Sequence, residues 1–275
     1  MTTIALAFDF SKGSINALNH AKSMAKLMDC KLVLVHSYSP PILDPNVPIG
    51  LIEETFRDTV KILEEKLHKE VELAKKDGLD VESKLAFSDL SSILNDICKS
   101  ETVKFVVVGK TGEQGFIETL IGSTAAHLID NVDAPLLVIP ENFETTILAK
   151  LGYASQLEYD EEDYIEKALD LAKYSPHNLE LAHIQESEDL NIYPDEQFLE
   201  SILKKFEKDK LDIIQRESKS FKKGINELIE AEGISLLILT THKRGLFQGI
   251  LNPSKTKQVI KNTKIPILVY TFNEK

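Results

Sequence analysis

The sequence predicts an α/β chain made of two tandem copies of one strand–helix unit. Three observations carry this reading. Apolar runs of strand length alternate with amphipathic helical stretches along the whole chain. The order of these runs in the first half returns in the second. One strand–helix junction carries a glycine comb: Gly109-Lys110-Thr111-Gly112, nine intervening residues, then Gly122-Ser123. Strands that alternate with helices build parallel sheets through right-handed crossovers.

In chain order, Ile4–Phe8 is the first apolar run. Asp9 follows, then a helix through Leu18, Ala21, Ala25 and Met28. Lys31–His36 is a second strand, and a loop with four prolines runs from Ser39 to Pro48. A long amphipathic helix over about 50–76 stops at Gly78. A third strand opens at Leu79-Asp80-Val81 and alternates through Leu85 and Phe87. Asp89 then caps a helix with Leu90, Ile93, Leu94 and Ile97 on one face. Phe105–Val108 is the fourth strand and ends at Gly109; Thr124–Ile129 reads as a short helix; Ala134–Ile139 is the last strand of this half.

The second half repeats the order. Ile147–Leu151 reads as its first strand and 160–173 as its first helix. Leu179–Ile184 echoes Leu32–Ser37, with His183 at the place of His36. Residues 195–209 read as a shorter second helix. Leu211–Ile213, Ser235–Leu239 and Ile265–Val269 match the third, fourth and last strands. The polar stretch Glu141–Thr146 separates the copies, giving units of 1–142 and 143–275 with about five strands each.

Composition bounds the function. The chain has 275 residues, 43% apolar and 28% charged, which suffices for a sizeable core in one large or two small domains. A net charge of −12 argues against nucleic acid or an anionic membrane as partner. It leaves open a small anionic ligand, which responds to local N–H groups. Cys30 and Cys98 are the two cysteines, with no CxxC and no metal-ligand spacing, so a reducing compartment is expected. No leader-like segment precedes the first strand and no apolar run approaches membrane-spanning length, so a cytoplasmic location is expected.

The comb points to phosphate. Glycines at a strand's carboxyl end let backbone N–H groups approach an anion with no Cβ in the way. A following helix start adds its own free N–H groups and its dipole. In open parallel sheets, ligands sit outside the carboxyl ends of the strands at the topological switch point. If the strands ending at Asp9 and Gly109 are neighbours, both residues face one crevice. No nucleophile elbow, metal cluster or correctly spaced Walker lysine accompanies the comb. No catalytic or metal-ligating residue is therefore named, and binding and regulation are favoured over efficient catalysis.

The spacing Gly109-x2-Gly112-x9-Gly122-Ser123, the Asp9 that ends the first strand and the Pro135–Val138 type of last strand together resemble the universal stress protein family. The resemblance covers nearly the whole chain as two tandem domains. It implies Rossmann-like, adenine nucleotide α-hydrolase-like domains, each a five-stranded parallel sheet of order 3-2-1-4-5. It implies ATP or AMP between strands one and four, with Mg as an optional companion. Carried over residue by residue, Ala7, Phe8 and Asp9 stand at the nucleoside side, and Ser37 meets the adenine edge through its backbone. Val108, Gly109, Lys110, Thr111 and Gly112 line ribose and phosphates, and Gly122, Ser123 and Thr124 bind phosphate at the helix start. Thr111 stands where the family often has His, and Ala125 where it often has a hydroxyl.

The second half does not keep the motif. Gly152 or a neighbour stands in place of Asp9, Thr240 in place of Gly109, Lys243 in place of Gly112 and Pro253 in place of Gly122. Ser254 remains of the phosphate end. Pro253 has no N–H to donate, and Lys243 puts a side chain where backbone should approach. This half is read as the fold without the site; the other reading has His242, Lys243 and Arg244 hold a different anion.

Blander readings stand beside these. Asp9 caps the first helix as readily as it touches a ligand, and Lys110 reads equally as a solvated lysine. His36 and His183 recur in both halves while the comb does not, which favours a structural role. Three functions compete: an adenine-nucleotide-binding stress regulator, a slow ATP hydrolase or phosphotransferase, and an interaction module with a vestigial comb. A comb kept whole in one half favours the first two, and the missing base and metal ligands favour the first. The apolar final strands Leu136–Ile139 and Ile267–Tyr270 are expected to pair as the seam of an intrachain pseudo-dimer, since bare apolar edges aggregate. A homodimer of whole chains is left open.

Overall fold

Ile4 and Leu6 turn to one side of strand β1 (Thr3–Ala7), Ala5 and Ala7 to the other, and every residue of the strand is buried. Burial on both faces is what a central parallel strand requires. The computed structural model describes residues 2–40, 48–110, 123–155, 161–186, 196–242 and 263–272.

The first half runs β1, α1 (Lys12–Met28), β2 (Lys31–Ser37), α2 (Ile49–Lys76), β3 (Val81–Ala86), α3 (Leu90–Ser100), β4 (Val103–Lys110), α4 (Ser123–Asn131) and β5 (Leu136–Pro140). The second runs β6 (Leu151–Ser155), α5 (Glu162–Ala172), β7 (Leu179–Glu186), α6 (Glu196–Lys205), β8 (Leu211–Ser218), α7 (Phe221–Glu232), β9 (Leu236–His242) and β10 (Ile267–Phe272). Local chemistry sets the helix ends. Ser11 caps α1 by accepting from Ser14 N–H, and Asp29 closes it in the left-handed region at φ 52°. Asp89 caps α3 through Ser91 and Ser92 N–H, and Gly233 closes α7 at φ 67°.

The strands join in the order β3-β2-β1-β4-β5-β10-β9-β6-β7-β8. Each half keeps its own order 3-2-1-4-5. The two five-stranded sheets expected from the sequence are fused into one of ten strands. All pairings are parallel except the seam, where β5 and β10 run antiparallel with Val138 opposite Ile267, Leu137 opposite Leu268 and Leu136 opposite Val269. One core packs α1, α2, α5 and α6 against one face of this sheet, and a second packs α3, α4 and α7 against the other. Both cores run across the seam. The outer strands β3 and β8 carry Glu82, Lys84, Asp212 and Arg216, polar protection for the two free edges.

Two expectations need correction. The first strand of the second half is Leu151–Ser155, not 147–151. Ile147 and Leu148 are buried, but they lie in a turn: Ala149 N–H donates to Thr146 O, and Ser235 Oγ donates to Ile147 O at 2.7 Å. An apolar pair buried in a turn reads in sequence like a strand. The fourth strand also extends past Val108: Gly109 and Lys110 pair with Ile139 and Pro140 in β5. Gly109 is thus a strand residue rather than the first residue of a loop.

Candidate functional site

The carboxyl ends of β2, β1 and β4 lie side by side and bring seven of the candidate residues together: Ala7, Phe8, Asp9, Ser37, Val108, Gly109 and Lys110. β1 pairs with β2 through Ala7 opposite Val35, and with β4 through Ala7 opposite Val108. Ala7, Phe8 and Val108 are buried supports at this edge. Phe8 N–H donates to Val35 O at 2.8 Å, and Phe8 O accepts from His36 Nδ1 at 2.6 Å. Asp9 then emerges into solvent. Ser37 ends β2, and Lys110 ends β4.

Asp9 works locally as the blander reading expects. Its Oδ1 accepts from Ser11 N–H at 3.0 Å and so steadies the residue that caps α1. Partial burial pushes its carboxyl pKa up, but hydrogen bonds from Ser11 and Ser14 outweigh that and hold it below the ordinary value. It is an anion at neutral pH. Phe10, next in line, has φ 63°, a left-handed conformation uncommon for a bulky residue. Its ring packs on Phe8 and His36, with Lys66 Nζ 5.5 Å from its centroid. Nothing in the sequence signals this strained residue beside Asp9.

Ser37 sits opposite Ala86 of β3 and donates its Oγ to Ser88 O at 2.7 Å. Its side chain is engaged in joining β2 to the segment after β3.

Gly109 has a second reason to be glycine. A Cβ there would lie 2.3 Å from the carbonyl carbon and oxygen of Gly13 and 2.6 Å from Ser14 N. Helix α1 is laid directly on β4 at this point. Asn16 Nδ2 donates to Pro140 O and Phe143 O at 3.0 Å, and His20 Nε2 donates to Phe143 O at 2.8 Å, so the same helix also grips the chain after β5. Gly13 and its partnership with Gly109 went unread in the sequence, because two glycines ninety-six positions apart carry no mutual signal.

Thr111, Gly112 and Gly122 lie outside the described residues, as do Lys243, Arg244, Pro253 and Ser254 of the second half. Ser123 and Thr124 open α4, and Thr124 is exposed. The described geometry is therefore a strand edge carrying Asp9, Ser37, Gly109 and Lys110, followed in chain order by the comb and a helix start.

A family model described as the universal stress protein family matches residues 1–140 and again 156–271. The chain belongs to the universal stress protein family. Among curated proteins it resembles the universal stress protein MJ0531 of Methanocaldococcus jannaschii, 24% identical over 141 residues, half of this chain and 80% of that one. Among solved structures, a universal stress protein from Archaeoglobus fulgidus superposes with a TM-score of 0.73 at 17% identity, covering 98% of each chain. A second, described as a putative universal stress protein from Pseudomonas aeruginosa, gives 0.59 at 12% identity, covering 98% of this chain and 92% of that one. At these identities the structural likeness concerns the fold.

The two halves of the ten-stranded sheet have the same strand order, so equivalent positions can be read from the registers. His183 Nδ1 donates to Ser155 O at 3.2 Å, as His36 does to Phe8 O, which sets Ser155 against Phe8. The recurring histidines thus brace strand ends in both halves. The counterpart of Asp9 is then residue 156, outside the described residues, and not Gly152. This follows from the corrected start of β6. Leu239 pairs with Ala154 as Val108 pairs with Ala7, so Thr240 stands against Gly109, as the sequence suggested.

No helix among the described residues is long and apolar enough to cross a membrane.

Proposed function

We propose that this chain is a stress-response regulator that binds one adenine nucleotide, ATP or AMP, in the crevice of its first half. The observation that carries the reading is the convergence of Asp9, Ser37, Gly109 and Lys110 on one edge formed by adjacent strands. The base and ribose meet Asp9 and the Ser37 backbone. The phosphates follow the backbone from Gly109 through Thr111 and Gly112 to the helix start at Gly122, Ser123 and Thr124. Free N–H groups and the α4 dipole favour the negative charge there. The reading divides the chain at about residue 142 into a binding half and a half that keeps the fold without the nucleotide motif. It places the protein in the cytoplasm, and a homodimer of whole chains is compatible with it.

Calorimetric titration of the full chain with ATP and with AMP tests it, together with mass spectrometry of nucleotide released from the denatured protein. A stoichiometry near one per chain is expected, lost in Gly122→Val. Two equivalent sites per chain, or unchanged binding by Gly122→Val, would overturn the assignment.

A further inference from the structure

The chain turns from β1 into α1 at a single residue, and that residue is a phenylalanine. Phe10 has φ 63°, in the left-handed region that favours glycine. Asp29 is the other non-glycine residue with positive φ among the described residues, and it closes a helix, where that conformation is ordinary. Phe10 closes no helix. It stands between Asp9, which is exposed, and Ser11, which is extended at φ −68° and ψ 162° and caps α1.

Three elements hold its ring. The ring of Phe8, just past β1, meets it edge-on with centroids 4.8 Å apart, and the His36 ring of β2 lies tilted against it at 5.1 Å. Lys66 Nζ of α2 lies over it, 5.5 Å from the centroid. His36 is itself anchored, since its Nδ1 donates to Phe8 O at 2.6 Å. Aromatic pairs and a cation over a ring face each favour the packed ring. A bulky residue persists in left-handed backbone only where its surroundings fix it there. These contacts are what fix Phe10.

The turn acts on its neighbour. Asp9 Oδ1 accepts from Ser11 N–H at 3.0 Å, a bond that spans Phe10. The φ and ψ of Phe10 set the direction of that N–H relative to the Asp9 carboxylate. A relaxed, right-handed Phe10 would swing Ser11 N–H away, and the carboxylate would lose that anchor. Backbone strain of this kind gathers at functional sites, where it contributes to pre-organisation.

We propose that Phe10 is a positioning residue for the crevice of the first half: its packed ring holds the left-handed turn, and the turn aims the Asp9 carboxylate at the strand edge. The proposal rests on nucleotide binding at that edge.

Calorimetric titration of the full chain with AMP tests it in wild type, Phe10→Ala and Phe10→Gly, under conditions in which circular dichroism shows each fully folded. A mere loss of stability then leaves affinity unmoved. Phe10→Ala loses the ring and keeps a Cβ that resists the left-handed region, and should bind AMP roughly tenfold more weakly than wild type. Phe10→Gly also loses the ring but takes the turn freely, so its affinity should lie between the two. A packing role alone predicts otherwise, because glycine removes more of the side chain and should do no better than alanine. Equal affinity of the two variants, weaker binding by Phe10→Gly, or wild-type affinity in Phe10→Ala would overturn the proposal. If Phe10→Ala does not fold, Phe10→Leu takes its place: it keeps apolar bulk but resists the turn, and Phe10→Gly should still bind more tightly. Binding by wild type with the wrong order of variants sinks this proposal alone. Absence of both AMP and ATP binding by wild type sinks the nucleotide reading and this proposal together.

Discussion

Gly13 and Gly109 meet backbone to backbone: a side chain at residue 109 would begin 2.3 Å from the Gly13 carbonyl. This contact seats α1 on β4 and fixes where Asp9 and Ser11 leave the sheet. The first glycine of the comb thus answers to packing as well as to any ligand.

Gly109→Ala should destabilise the first half whether or not nucleotide is present. Overpacking against backbone costs about 1–3 kcal/mol. Urea unfolding without nucleotide should show a lower midpoint with unchanged slope. A midpoint equal to wild type would mean that α1 shifts freely and that Gly109 serves the ligand alone.

The seam can be probed from both sides. Leu137 and Leu268 face each other across β5 and β10, and each is about 1% exposed. Leu→Ala at such a site typically costs about 2–5 kcal/mol. Leu137→Ala and Leu268→Ala should each lower the melting temperature, and their combination should be non-additive because the residues touch across the seam. Leu137→Asp should bare an apolar strand edge and drive association visible by light scattering. A monomeric Leu137→Asp protein of wild-type stability would contradict the seam.

In the proposed nucleotide site, Gly122→Val should abolish ATP binding while circular dichroism stays unchanged. A β-branched residue resists any positive φ and blocks backbone approach. Hydrolysis by the wild-type chain should fall well below the roughly 1–10³ s⁻¹ typical of enzymes. Turnover within that range, lost in Gly122→Val, would move the assignment to a hydrolase.

His183 gives a pH signature. Burial holds its imidazole below the ordinary 6.5, and the bond to Ser155 O only partly offsets this. The unfolded chain therefore takes up this proton first as pH falls. Stability from this group is full above about 6.5, declines below it, and levels off below the folded value. His183→Asn, which keeps a donor for Ser155 O, should flatten that part of the urea-midpoint profile between about pH 5 and 7. An unaltered slope would assign the acid sensitivity to other groups.

The strand pattern was legible because a parallel sheet buried on both faces writes itself as apolar runs. Val106–Val108 and Leu236–Leu239 each mark a central strand, and the final strands announced their own pairing by being too apolar to stand bare. Ile147-Leu148 misled, because burial in a turn selects the same residues as burial in a strand. At the site, Asp9, Ser37, Gly109 and Lys110 converge as their strand-end positions implied, while Thr111, Gly112 and Gly122 lie outside the described residues. The hydrogen bonds that buried Glu161 accepts from Tyr153, Ser155 and Thr240 were illegible for another reason. Glu161 sits in the acidic run Glu158–Asp163, where nothing in the local sequence marks one carboxylate for burial. Its meaning lies in Thr240 and Tyr153, which only the folded chain brings to it.

The antiparallel β5–β10 pairing relates the halves as a twofold axis relates the subunits of a dimer. In an assembly of identical chains, any substitution is made twice, and a change that suits one subunit must be tolerated by the other. A covalent tandem removes that obligation. Here one copy carries Thr240 where the other keeps Gly109 packed on Gly13. Because the seam cannot dissociate on dilution, the altered copy stays folded beside its twin whatever the protein concentration. A single peptide bridge has thus turned a symmetric architecture into one whose two faces are free to diverge.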